Sequence, residues 1–280
     1  MVEPVGIVAG SGGLPLHVAA QAVRRGHRVL AIAFPGITDS EIERHVPDVL
    51  WLKPGQLQKA ITGLKSAGIN RVVMAGKIEK LNLMRPWKLG LDLRAIKMIR
   101  SLGNWADDTV LAAIAGELLK DGILVEEITD WADDLLAPPG VLTRREPSAQ
   151  QWEDVEFGRT MARGIGELDI GQTVVVKNRA VIVVEAIDGT DRAIRRAADL
   201  DIRDTVVVKM AKPKQDMRFD VPGVGPSTIE SMIAAHAKVL AVEVGKTMIA
   251  DREQTLRKAE KARISVVGIP ADGPVRGGEQ

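Results

Sequence analysis

The first 33 residues constrain the fold more than any other stretch. An apolar run, Val5 to Ala9, meets Gly10-Ser11-Gly12-Gly13-Leu14-Pro15; an amphipathic segment then reaches about Arg25, Gly26 ends it, and a second apolar run spans Arg28 to Ala33. A strand, a glycine turn, a helix and a second strand form one crossover unit, and such units build parallel sheets with right-handed connections. Further strands are expected at Asp48 to Leu52 and Arg71 to Ala75, with a helix from about Gln56 to Ala67 between them. Gly76-Lys77 follows the last of these strands, so a second glycine loop falls at the carboxyl edge of the sheet, where ligands of open α/β sheets bind. The dinucleotide fingerprint fails: Pro15 stands at the third glycine position, and Phe34-Pro35 follow the second strand where an acidic residue is required. The Gly10–Pro15 turn either faces another phosphate or a sugar, or is only a tight strand-to-helix turn. Lys77 is a candidate phosphate contact.

Beyond this unit, Leu81 to Leu91 is irregular and apolar around Pro86, Trp87 and Gly90. Helices are expected over Asp92 to Leu102 and Ala106 to Asp121, and a strand over Gly122 to Ile128. Asp107 and Asp108 fall in a first helical turn, where carboxylates suit the macrodipole; coordination of a divalent ion is the alternative. Pro138-Pro139-Gly140 and the polar run to Gln151 read as a linker. The expected organisation is therefore an α/β chain: a Rossmann-like parallel-sheet domain over 1–137, a linker over 138–151, a catalytic α/β domain over 152–270 and a flexible tail over 271–280. In the second half, Trp152 to about Gly164 reads as a helix. Thr173 to Lys177 and Ala180 to Ala186 read as a hairpin turning at Asn178-Arg179, with Thr190 or Asp191 capping the helix that follows.

One charged stretch stands out, KMAKPKQDMRFDVPGVGPSTIESM from Lys209 to Met232. It sets Lys209, Lys212, Lys214 and Arg218 beside Asp216 and Asp220, then stiffens through Pro222, Gly223, Gly225, Pro226 and Ser227 into a new helix. Such a loop, ending at a helix N-terminus that holds Gly225 and Thr228, can present cations and backbone N–H groups to a phosphate. A solvated turn is the alternative. Glu185, at the end of the valine-rich strand AVIVVEA, is expected at the same sheet rim.

Composition narrows the chemistry. The chain has 38 basic and 37 acidic residues, no cysteine, no tyrosine and four histidines. A near-neutral chain poor in aromatic residues is not expected to bind nucleic acid. Thiolate sites and Cys nucleophiles are excluded, and the histidines do not pair at zinc-ligand spacing. G-x-S-x-G and the Walker A lysine loop do not occur. What remains is carboxylates with Lys and Arg, the set used in metal-assisted phosphoryl chemistry. MVEPVGIVAG lacks a basic segment followed by a longer apolar core, and no apolar run approaches the ~20 residues of a spanning helix, so a cytoplasmic protein is expected.

Three segments carry a resemblance: GIVAGSGGLPLHVA, GELDIGQTVVVKNRAVIVVEAIDGTDRAIRR and VVKMAKPKQDMRFDVPGVGPSTIE. Together, in this order and spacing, they resemble the LpxI family of UDP-2,3-diacylglucosamine pyrophosphatases. The resemblance implies cleavage of the diphosphate of UDP-2,3-diacylglucosamine to 2,3-diacylglucosamine 1-phosphate and UMP in lipid A synthesis, with water attacking the glucosamine-side phosphorus. It implies Mg²⁺ or another divalent cation, a Rossmann-like N-terminal domain and a C-terminal domain of family-specific fold. The essential aspartate of the R-x-D-x-P element maps onto Asp220, and Asp216 takes a supporting acidic role. From charge chemistry, Arg218, Lys212 and Lys214 are candidate phosphate contacts, and Glu185 and Asp191 join Asp220 as metal candidates. Gly10, Ser11, Gly12, Gly13, Leu14, Pro15, Gly76, Lys77, Thr190, Gly225 and Thr228 are candidate substrate contacts. A UDP-lipid substrate, contact with the inner face of the inner membrane and a homodimer are the expected partners. A nucleotide-sugar binding module without catalysis is the alternative.

Overall fold

The computed structural model describes residues 2–78, 89–103 and 107–275, with the side chains of Asp107 and Asp108 left aside. The apolar segment Leu81 to Leu91, except its last three residues, lies outside the described residues. The chain divides into two compact units, Met1–Ala132 with Asp216–Asp220, and Asp133–Gln215 with Val221–Gln280. No helix among the described residues is long and apolar enough to cross a membrane.

In the first unit, β1 (Val5–Ala9), β2 (Val29–Ala33), β3 (Asp48–Trp51), β4 (Arg71–Ala75) and β5 (Leu124–Glu126) form one sheet in the order β3-β2-β1-β4-β5. Every pairing in it is parallel. This is the expected Rossmann-like sheet, and its order reverses direction between β1 and β4, where open α/β sheets form a crevice. Helices α1 (Leu14–Arg24), α2 (Ile42–His45), α3 (Leu57–Ser66), α4 (Leu93–Arg100) and α5 (Asp107–Lys120) connect the strands. Asp92 starts α4 by accepting from the Ala95 N–H at 2.9 Å, as an N-cap does. Ile61, Leu64, Ala95, Met98, Ala115 and Leu118 bury their helices against Ile32, Val72 and Val125. β5 is shorter than the expected strand because a 3₁₀ turn takes over at Ile128–Asp130.

The second unit holds a six-stranded sheet in the order β6-β13-β11-β9-β7-β8, formed by β6 (Gly140–Val141), β7 (Thr173–Lys177), β8 (Ala180–Val184), β9 (Val206–Lys209), β11 (Val239–Glu243) and β13 (Ser265–Ile269). β10 (Gly223–Val224) and β12 (Met248–Ile249) pair separately. Strands β9, β11 and β13 are parallel, while β7 is antiparallel to both β9 and β8. β8 therefore runs with β9, and Glu185, Lys209 and Glu243 all emerge at the same edge. The strands β7, β9, β11 and β13 are buried on both faces, as a sheet covered by helices on each side requires, while the edge strand β8 is largely exposed. One face packs under α6 (Ala149–Glu167). The other packs under α7 (Thr190–Ala198), α8 (Pro226–Ala234) and α9 (Arg252–Lys261).

Several elements depart from the sequence expectation for local reasons. The 138–151 stretch supplies β6, antiparallel to β13, and Ser148 with Gln151 forms a capping box that starts α6 at Ala149. Gly158 lets α6 sit on the sheet, since a Cβ there would stand 2.5 Å from a Val208 methyl. At the β7–β8 turn, Asn178 and Arg179 take φ of 50° and 58°. Both their N–H groups donate to buried Asp154, at 3.2 and 2.6 Å. The segment after β13 is tied down as far as Gly273: Arg159 donates to the Pro270 and Gly273 carbonyls, and Arg163 to that of Ala271 and to Asp272.

Candidate active site

The glycine loops of the first unit meet at the crevice between β1 and β4. Gly10 N–H donates to Ala75 O at 2.7 Å, and Ser11 N–H and Lys77 O are 2.8 Å apart. Ser11 Oγ also donates to Lys77 O, and Lys77 N–H returns a bond to Ser11 O. These amides are committed to tying one loop to the other. The glycines make that approach possible: a Cβ on Gly10 would lie 2.8 Å from Lys77 backbone atoms, and one on Gly76 2.6 Å from Ser11 O. Gly12 and Gly13, by contrast, are exposed and border open space, so a ligand reaching this edge would meet them, together with Leu14 at the uncapped start of α1. Pro15 is buried against Gly76, and Lys77 is exposed.

The Asp216–Asp220 segment belongs to this unit. Phe219 packs on the core beneath the sheet, and the Met217 carbonyl accepts from Ile128 N–H. Arg218 forks onto Asp216, Nε to Oδ1 at 2.9 Å and the terminal nitrogen to Oδ2 at 2.6 Å, and stacks 4.8 Å from the Phe219 ring centre. Hydrogen bonding to Arg218 holds the Asp216 carboxyl below its usual range despite partial burial, and Asp216 raises Arg218 in turn. The fork is bidentate, so both oxygens of Asp216 and the broad edge of Arg218 are used locally. Asp220 ends the turn, its N–H bonded to Asp216 O at 3.0 Å, and its side chain is exposed.

The second unit gathers a different set at the carboxyl edge of its sheet. Lys209, only 4% exposed, extends Nζ to Thr190 Oγ1 at 2.6 Å. Thr190 Oγ1 lies 3.0 Å from Glu185 Oε1 and 3.4 Å from Thr173 Oγ1. Glu185 is 6% exposed, and its Oε2 has no hydrogen-bond partner. Neither Thr190 nor Asp191 caps α7, contrary to expectation: Gly189 occupies the cap position at φ 80°, which leaves the Thr190 hydroxyl to Glu185. Asp191 instead accepts from Thr228 Oγ1 at 2.9 Å, linking the first turns of α7 and α8. Gly225 precedes α8, and its N–H reaches Thr228 Oγ1. Lys212 turns to Asp169 at 2.7 Å, holding that carboxyl low, and Lys214 is exposed.

The sequence places Glu185 at the same sheet rim as the charged loop that opens with Lys209, but brings neither Thr190 nor Thr173 to that pair. A lysine and a threonine at opposite ends of valine runs, TVVVK and TVVVK again at Thr173–Lys177 and Thr205–Lys209, were the available signal. Among the described residues, no group of three His, Asp or Glu side chains is placed to hold a metal ion. Mg²⁺ bound to phosphates typically needs only one or two carboxylates, and the open, buried Glu185 Oε2 is a donor atom suited to that arrangement.

A Rossmann-like parallel sheet joined in one chain to a second α/β unit defines a two-domain α/β protein. The LpxI N-terminal domain matches residues 4–135 and the LpxI C-terminal domain residues 138–267; the chain belongs to the LpxI family. The UDP-2,3-diacylglucosamine pyrophosphatase LpxI of Caulobacter vibrioides is 29% identical over 285 residues, covering 98% of this chain and 100% of that protein. Solved structures overlap it only shallowly. A UDP-glucose-4-epimerase from Stenotrophomonas maltophila aligns at 12% identity and TM-score 0.30 over 43% of this chain and 34% of that one. A glycinamide-RNase-transformylase T from Mycobacterium tuberculosis aligns at 11% and 0.25 over 66% and 44%. Overlaps at these scores bear on neither fold nor activity.

Proposed function

We propose that this chain hydrolyses the diphosphate of UDP-2,3-diacylglucosamine to 2,3-diacylglucosamine 1-phosphate and UMP, a step of lipid A synthesis. The reading rests on the full-length likeness to the Caulobacter pyrophosphatase. The single structural observation that carries it is the element Arg218-Phe219-Asp220-Val221-Pro222, in which an exposed carboxylate follows a clamped, core-anchored turn.

In this reading Asp220 orients the attacking water and takes up its proton. The water oxygen bonds to the glucosamine-side phosphorus, the bond from that phosphorus to the bridging oxygen breaks, and UMP leaves with the bridging oxygen. The Asp216–Arg218 clamp acts by fixing the loop that presents Asp220, and a fixed carboxylate is worth more than a mobile one because the geometry is set before the substrate arrives. Lys214, and Lys212 where it can leave Asp169, would offset charge on the diphosphate. A divalent cation would be held by Glu185 and Asp191 of the second unit or by Asp220 of the first, and would supply neutralisation of phosphate oxygens and polarisation of the phosphorus. In this reading the work is done at the cytoplasmic face of the inner membrane, where a substrate with two acyl chains would reside.

The test is incubation of the purified protein with UDP-2,3-diacylglucosamine in ¹⁸O-water, with Mg²⁺ or with EDTA. The expected result is UMP release that EDTA abolishes, with the label in the lipid 1-phosphate. No UMP under any metal overturns the proposal, and tight UDP binding without turnover would make the chain a nucleotide-sugar binding module. Label in UMP would overturn the assignment of the phosphorus attacked.

A further inference from the structure

The polar corner around Thr190 has a hydrogen-bond arrangement that its distances determine. A threonine hydroxyl has one proton and two lone pairs. Glu185 Oε1 is acceptor-only as a carboxylate, so the Thr190 proton goes there. Lys209 Nζ can only donate, so it takes one lone pair of Thr190 Oγ1. Thr173 Oγ1, 3.4 Å away, is left to donate to the other. Thr190 is thus saturated, with a buried anion on one side and a buried cation on the other. Its hydroxyl is an acceptor that helps to hold the Lys209 ammonium in place.

This arrangement is costly unless it is used. A lysine and a glutamate each more than nine-tenths buried carry a large desolvation penalty, and Glu185 keeps one oxygen without a donor. Buried polar atoms without partners are rare in native proteins. The corner sits at the carboxyl edge of the second sheet, beside the N-terminus of α7, whose cap residue Gly189 offers no side chain. A held cation, a helix N-terminus and an open carboxylate oxygen suit a phosphate oxygen accompanied by a cation or a water.

We infer that Lys209 is a phosphate-contacting residue, and that Thr190 and Glu185 are positioning residues that hold its ammonium in place for a phosphoanhydride. The inference rests on the diphosphatase reading above but can fail separately from it. It also adds a phosphate cation at the strand end of β9 to the candidates Lys212, which is turned to Asp169, and Lys214.

Two measurements on the full chain test it: calorimetric titration with inorganic pyrophosphate, and turnover of UDP-2,3-diacylglucosamine. Lys209→Met is expected to weaken pyrophosphate binding at least tenfold and lower kcat further. Thr190→Val should lower kcat about tenfold with KM changed less than threefold, and Thr190→Ser, which keeps the hydroxyl, should recover most of the loss. Thermal unfolding of each variant separates misfolding from mispositioning, and Thr190→Ser keeps the question decidable should Lys209→Met not fold. Wild-type behaviour in Thr190→Val, or equal damage in Thr190→Ser and Thr190→Val, overturns the positioning role. Pyrophosphate binding that is lost in Lys209→Met while the wild-type protein turns over no UDP-lipid would leave this inference standing and the diphosphatase reading fallen.

Discussion

At the scale of single residues, the two candidate glycine loops and the charged turn behave differently from what their composition alone implies. Gly10 and Gly76 are needed because two backbones touch, which is a structural demand. Gly76→Ala puts a Cβ 2.6 Å from Ser11 O at a φ of 86°, and should cost roughly 2–4 kcal/mol of stability, read as a lower urea midpoint. Gly12→Ala meets no neighbouring atom within 4 Å, although φ is 91°; it should cost about 1 kcal/mol from backbone strain alone. A second residue prediction concerns Asp154, 1% exposed and bonded to two turn amides. Asp154→Ala leaves those N–H groups without their acceptor and should cost about 2–4 kcal/mol in the same measurement.

At the scale of elements, strand positions were legible because the chain alternates uninterrupted valine and isoleucine runs with glycine punctuation. Val5–Ala9, Arg71–Ala75 and Thr173–Lys177 needed no tertiary information. β6 was not legible: Gly140–Val141 has no periodicity of its own and becomes a strand only because β13 offers an edge. The α6 start was readable in Ser148-x-x-Gln151, but the prolines and charges before it pointed to a linker. Ser148→Ala should lower stability by about 1 kcal/mol, measurable by thermal unfolding, if that capping box sets the helix start. Of the candidate site, the Asp216–Arg218–Asp220 turn could be found from charge density in ten residues. For the Glu185–Thr190–Lys209 corner only the shared rim of Glu185 and Lys209 was readable; Thr190 joins them because the end of β8, the first turn of α7 and the end of β9 meet through the register of the sheet.

At the scale of the whole molecule, the resolved pKa shifts of the carboxylates point one way. Arg218 holds Asp216 low, Arg94 and Lys65 hold Asp121 low, and Lys120 with Arg94 holds Glu117 low. Asp169, Asp188 and Asp272 shift downward too, through Lys212, the Ala186 N–H and Arg163. A depressed folded-state value means the unfolded chain binds more protons. The stabilisation is therefore present above the unfolded values, about 3.9 for Asp and 4.3 for Glu, and is lost as pH falls through the folded ones. The urea midpoint should hold between pH 7 and 5 and fall steeply below about pH 4; a midpoint unchanged at pH 3 would contradict this.

The proposed chemistry hangs on one exposed carboxylate, Asp220, presented by a clamped turn. The most direct measurement is the rate of UMP release from UDP-2,3-diacylglucosamine by Asp220→Ala beside the unaltered protein, with thermal unfolding of both. The expected outcome is a loss on the order of 10²-fold or more with an unchanged unfolding temperature. Equal rates in the two proteins would contradict the account.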